Sequence, residues 1–357
     1  MKKYLFLTIM AAGLGLTLLS CSNDNEPQAV QSEICFGSNI GGMTRSNEAT
    51  NLLSGDTVYV WADMVNATDG TQTEYFKAWA LTADGVGGLT PMSGDTKLFP
   101  ATNNLNFYSL VGNFGKDGNG DPVINPEIVE EEDKMALPAT GIIHTVLGDQ
   151  REAEDYYKSD LLYAVVKNQA PISQAVVLPF QHMLSRIQVV LVAGNGMTTD
   201  ELGSATVKLL NLKRQVTFRP DSTKSVAISN DAVVHAASRA NLAGMLSIPM
   251  SAQQSDILMK TEVVSKVADI TASVYADAIV VPKQTIPAES AFIEVDYLDR
   301  QTYYKLPADF TIESGRQYRF NLICDRIGEI YELNTVTVED WGLAGTALPL
   351  WLDTEVK

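Results

Sequence analysis

Short runs rich in Val, Ile, Tyr, Phe and Thr recur along the chain, broken by Gly, Asn, Asp and Pro. That punctuation predicts β-strands. The clearest runs are 57–62, 105–110, 161–166 and 187–192, followed by 205–210, 293–297, 318–323 and 335–338. Several alternate apolar with polar residues, which predicts one buried and one wet face, as in antiparallel sandwiches. Long helical periodicity is missing; the acidic stretch from Glu127 to Tyr157 is the one place where a short helix would fit. The pattern therefore predicts an all-β chain of two sandwiches in series. Their join is expected near Asn168 to Ser173, where Gln169-Ala170-Pro171 interrupts two strand runs.

The first segment departs from this pattern. Lys2 and Lys3 precede an apolar run from Tyr4 to Leu19, too short for an ordinary membrane-spanning helix. It ends in Leu18-Leu19-Ser20-Cys21, small residues before a Cys, which resembles the lipobox of bacterial lipoproteins. Residues 1–20 are then a signal peptide, and Cys21 becomes the lipidated first residue; an ordinary secretory signal with an incidental Cys is the competing reading. Several acyl chains on one Cys anchor stably where a single chain would be marginal. The following Ser22-Asn23-Asp24-Asn25-Glu26-Pro27-Gln28 is a polar tether with too little apolar surface to fold. Its acidic residues are similar to surface-export signals of some Gram-negative lipoproteins, or are plain linker.

Length and charge narrow the function classes. The 357 residues suffice for two cores, and 26 basic against 43 acidic side chains leave a net charge of −17. No basic field exists to replace the counterions of nucleic acid, so that partner is excluded. Three Cys exclude a disulfide-dense scaffold, and His144, His182 and His235 lie far apart with no HExxH frame. No GxSxG elbow, Walker loop or dinucleotide fingerprint occurs, so no catalytic, cofactor or metal residue is assigned. Asp117, Asn119 and Asp121 offer oxygens at calcium-loop spacing, but Pro122 stands where the turn needs Gly and Ile128 where a bidentate Glu belongs. A hairpin loop accounts better for them, as a solvated face does for Glu130 to Asp133. Cys35 and Cys324 could pair after export, but two separate small buried side chains is the favoured reading.

Several segments together resemble the fimbrillin family, the lipoprotein-derived pilus subunits of anaerobic Gram-negative bacteria. In order they are Ile34-Cys35-Phe36 ahead of Met43-Thr44-Arg45, Gly55-Asp56-Thr57-Val58-Tyr59-Val60, Ser159-Asp160-Leu161-Leu162-Tyr163-Ala164, and the run from Leu178 to Ile187. Val281-Pro282-Lys283-Gln284, Gly315-Arg316-Gln317-Tyr318-Arg319-Phe320 and Val336-Thr337-Val338-Glu339-Asp340-Trp341 close the set. The resemblance implies two transthyretin-like β-sandwich domains, expected at 46–172 and 173–357, behind a tether and removable first strand at 21–45. It also implies assembly with other copies or related subunits into an outer-membrane-anchored fimbria, after an arginine-specific protease cuts between Arg45 and Ser46.

The residues permit a physical account of that assembly. Ile34, Phe36, Ser38 and Ile40 fall on one face at period two, which suits a first strand laid against the N-terminal sandwich. Removing it would open a groove of unpaired edge groups and exposed core. The candidate donor strand is the tail 342–357, whose Leu348, Leu350, Trp351 and Leu352 are strongly apolar for a chain end. The competing reading folds the tail back onto its own domain, and Pro349 removes one ladder donor. A stalk subunit serving adhesion is thus the expectation. A tip or anchor subunit, a surface-anchored glycan-binding lipoprotein with exposed aromatics, and a hydrolase with dispersed acids are the alternatives.

Overall fold

The structure is a computed structural model that describes residues 31–40, 51–116, 122, 141–221, 224, 226 and 232–341. It is all-β, with three helices among the described residues. The first half holds β1 (Phe36–Ile40), β2 (Thr57–Val65), β3 (Gln72–Ala83), β4 (Gly88–Pro91), β5 (Asn104–Val111), β6 (Ile142–Thr145), α1 (Ala153–Lys158), β7 (Leu162–Gln169) and β8 (Val176–His182). Seven of these strands close into a barrel in the order β1-β4-β3-β2-β5-β7-β8. β2–β3, β3–β4 and β7–β8 are antiparallel pairs joined by short connections, whereas β1 runs parallel to β8.

The second half begins with β9 (Ser185–Ala193), α2 (Thr199–Leu202), β10 (Thr206–Lys213), β11 (Gln215–Phe218), α3 (Ala232–Gly244) and β12 (Leu246–Ser247). It continues with β13 (Gln254–Leu258), β14 (Lys260–Val263), β15 (Lys266–Val267), β16 (Ile270–Thr271), β17 (Val274–Val280) and β18 (Gln284–Ile286). Last come β19 (Ala291–Tyr297), β20 (Arg300–Lys305), β21 (Phe310–Ile312), β22 (Arg316–Cys324), β23 (Ile330–Glu332) and β24 (Thr337–Asp340). The sheet β14-β17-β9-β22-β23, with β24 also on β22, and the sheet β13-β10-β19-β20 contribute to one core. Ile187, Val189, Phe320 and Leu322 of the first meet Val207, Leu209, Phe292 and Val295 of the second there.

The expected join at 168–173 is the connection between β7 and β8, and both of those strands belong to the barrel. The chain leaves the barrel at Met183–Leu184, between β8 and β9. The two halves share a core as well. Val58, Val60 and Ala62 of β2 fill the barrel, while Tyr59 and Trp61 pack outward into the cluster that also holds Ile187 and Phe320. On β5, Phe107 points in and Tyr108 and Leu110 point out in the same way. The wet second face expected from alternation is thus a buried one on these two strands. The 13-residue α3 is a second departure from the strand pattern.

A buried polar network ties α1 to the second half. The Arg186 guanidinium donates to both Asp277 oxygens at 3.0 and 2.9 Å, and Tyr156 on α1 donates to Asp277 at 3.1 Å. Arg186 also donates to the Tyr275 hydroxyl at 3.0 Å, and Gln188 does so at 2.7 Å. Buried charge survives only when paired in this fashion. The Asp277 carboxylate and the two phenols at hand hold the Arg186 guanidinium protonated, against the desolvation that opposes it.

Candidate assembly site

The strand β1 is the stave that closes the barrel. It pairs with β8 in parallel from Phe36 opposite Val176 to Ile40 opposite Phe180, and with β4 at Phe36–Leu89 and Gly37–Gly88. The backbone before it is also held. Ile34 donates to the Lys97 carbonyl and Phe99 to the Ser32 carbonyl, both at 2.8 Å, and Val176 donates to the Cys35 carbonyl at 2.8 Å. Ser38 donates to the Gly87 carbonyl at 2.7 Å. This approach is close: a Cβ on Gly37 would stand 3.3 Å from the Gly87 oxygen, which would have to shift by a few tenths of an ångström to admit it.

Period-two alternation sets the buried face. Ile34, Phe36, Ser38 and Ile40 are all buried, while Asn39 between them is exposed. The Phe36 ring meets Phe107 edge-on at 5.0 Å and Trp79 at 6.0 Å, and Phe76 and Phe99 extend this aromatic set. Burying Ile34, Phe36 and Ile40 is worth about 1.5–3 kcal/mol each. The strand is therefore a filled part of the core and not an appended edge. A turn at 84–88 supports its β4 side: the Asp84 carboxylate accepts from Val86 at 2.8 Å and Gly88 at 2.9 Å, which holds its pKa low.

The far end of β8 reaches the seam between the halves. His182 Nδ1 donates to the Asp160 carboxylate at 2.7 Å with both side chains fully buried, and its ring stacks on Trp341 at 3.9 Å. Trp341 N–H donates to the Gly315 carbonyl at 2.8 Å, and Gly315 N–H to the Leu184 carbonyl at 2.7 Å. Arg316 pairs with Asp340, and Arg239 on α3 lies 3.3 Å from the same carboxylate. Segments far apart in sequence, around Asp160, His182, Gly315 and Trp341, thus meet in one place.

Other sequence candidates are placed as follows. Trp61, Trp79 and Trp341 are buried and offer no sugar platform. Cys35 and Cys324 form no disulfide with each other, the first half-buried and the second buried; burial pushes the Cys324 thiol up to about 12. Among the described residues, no three His, Cys, Asp or Glu side chains gather as a metal site. Cys21, Arg45, Ser46, Asp117, Asn119, Asp121 and the tail residues Leu348, Leu350, Trp351 and Leu352 lie outside the described residues. What sequence reasoning missed is the seam. Its residues come from segments read as family pattern, and only their meeting gives them a shared position.

The described residues thus form an all-β chain in which β1 closes a barrel. The fimbrillin-like family model matches residues 44–341, and the chain is a member of that family. Its members are fimbrial structural and adhesion proteins, not enzymes. Among solved structures, a candidate cell-adhesion protein from Bacteroides ovatus superposes with a TM-score of 0.52 at 16% identity, covering 87% of this chain and 98% of that one. The fimbrial anchor protein Mfa2 from Porphyromonas gingivalis aligns over 87% of this chain and 98% of its own, at 12% identity and a TM-score of 0.33. No curated protein matches the chain.

Proposed function

We propose that the chain is a structural subunit, of stalk type, of a cell-surface fimbria that serves adhesion. In this reading it is exported as a lipoprotein, held at the outer membrane through lipid on Cys21, and cut by an arginine-specific protease between Arg45 and Ser46. The cut frees residues 21–45, including β1, and an apolar strand from another copy takes the vacated place. The tail 342–357, with Leu348, Leu350, Trp351 and Leu352, is the proposed donor. We place the division between the two domains at Met183–Leu184.

The observation that carries this is the position of β1. It is at once the stave that closes the barrel and, with Ile34 just before it, the source of Phe36 and Ile40 in its core. Its loss leaves β4 and β8 as two unpaired edges flanking an apolar slot, a template for one incoming strand. The parallel pairing of β1 with β8 supports the same point, since a strand joined by a short hairpin would pair antiparallel.

The test is to treat the full chain with an arginine-specific protease and to sequence the product. A new N-terminus at Ser46 together with a ladder of oligomers is expected. Cut protein that stays monomeric rejects the stalk assignment, and ladders that persist after deletion of 342–357 reject the tail as donor.

A further inference from the structure

A cleft of about 470 Å³ opens beside the seam, lined by Arg239, Lys283, Thr311, Glu313, Ser314 and Arg316 among others. It lies between α3, the β18–β21 pair and the start of β22. Its size falls within the range of small-ligand pockets, about 300–1,000 Å³. Three cations around one cleft stand out in a chain of net charge −17.

Two acids hold the arginines without saturating them. Glu313 lies 3.3 Å from Arg316 and 3.7 Å from Arg239, and Asp340 lies beside both guanidiniums. Neither contact of Arg239 has hydrogen-bond geometry, and its Nε is buried without a hydrogen-bond partner. Lys283 donates to the Leu246 carbonyl at 2.6 Å, from a backbone held at a φ of 62°. Burial lowers the Lys283 pKa, so an anion in the cleft would relieve a cost already present.

We propose that this cleft is a binding site for a small hydroxylated monocarboxylate, with its carboxylate received by Arg239 and Lys283. Guanidinium donors are matched to the planar carboxylate, and a neighbouring ammonium adds a point charge. Three cations against Glu313 and Asp340 leave one net positive charge, which fits a monoanion and disfavours a dianion such as sulfate. Glu313, more than half exposed at the rim, is placed to accept hydrogen bonds from the hydroxyls of such a ligand and repels a second negative charge. The site belongs to the single chain and does not depend on the assembly proposed above.

The test titrates the full chain, without protease, against glucuronate, glucose and sulfate, by calorimetry and by NMR of the arginine side chains. Glucuronate is expected to bind at least about tenfold more tightly than glucose, which has the same ring without the carboxylate. Arg239→Gln and Lys283→Asn should each weaken glucuronate by about tenfold or more. Circular dichroism and the thermal midpoint of both variants, compared with the wild type, confirm that the fold is kept. Equal binding of glucose, tighter binding of sulfate, or unchanged glucuronate affinity in both folded variants would overturn the assignment.

Discussion

Replacing Phe36 with Ala separates a plug from an ordinary core strand. The ring is 4% exposed and sits between Phe107 and Trp79. Its removal costs the transfer of the ring plus a cavity, about 3–5 kcal/mol. For a domain of this size, at about 2–4 °C per kcal/mol, the uncut chain should melt about 6–20 °C lower. The same loss weakens the hold on β1 once the chain after it is cut, so the strand should leave about a hundred- to several-thousand-fold faster. Two assays follow: thermal unfolding of the uncut chain, and the lag before oligomers form after addition of an arginine-specific protease. Uncut Phe36→Ala protein should melt early and cut protein should polymerise with a shorter lag. The finished polymer, which no longer contains Phe36, should be as stable as the wild-type polymer. A polymer destabilised as much as the precursor would mean that β1 stays in place, and the plug reasoning would be wrong.

Three further outcomes are expected. Arg186→Met strands Asp277 in the core and should cost about 3–5 kcal/mol in denaturant unfolding, whereas adding Asp277→Leu should recover much of it. His235 is buried on α3, and burial holds its pKa below the ordinary 6.5, with Arg239 and Arg316 acting in the same direction against Asp340. The unfolded chain therefore takes up the proton first, so this contribution to stability is whole above pH 6.5 and falls as pH drops below it; His235→Gln should flatten the melting-point profile in that window. Cys324, with its thiol pushed up to about 12, should resist iodoacetamide in the folded chain while half-buried Cys35 reacts; mass spectrometry should find the label on the fragment ending at Arg45.

The strands were legible because their composition and punctuation are local. The buried face of β1 was legible too, since Ile34, Phe36, Ser38 and Ile40 repeat at the period of an extended chain. The helix α3 was not. Its buried positions are His235, Ser238 and Leu242, which keep helical spacing but carry only one apolar side chain, so hydrophobic periodicity passes over them. The place where the chain leaves the barrel was hidden for a related reason. Gln169-Ala170-Pro171 reads equally as a hairpin loop, and Met183-Leu184 carries no Pro or Gly because both side chains are buried in the shared core. The seam itself rests on contacts such as His182 with Trp341, which no local pattern records.

That shared core bears on how a barrel could survive the loss of a strand. Take β1 away and the remaining strands form an open sheet with an apolar slot, which alone would tend to collapse or pair indiscriminately. Here the sheet is braced from outside. Tyr59 and Trp61 of β2, Tyr108 and Leu110 of β5 and Tyr163 of β7 are buried against the second half, and none of them touches β1's place in the chain order of the barrel. The strands opposite the slot are thus fixed by packing that does not depend on β1. Those beside the slot, β4 and β8, both keep only short ladders to β3 and β7, but β8 also ends in the buried His182–Asp160 pair under Trp341. Of the two edges, β8 is the firmer. It also makes the longer register with β1, so an incoming strand would find its alignment there and its closure on β4.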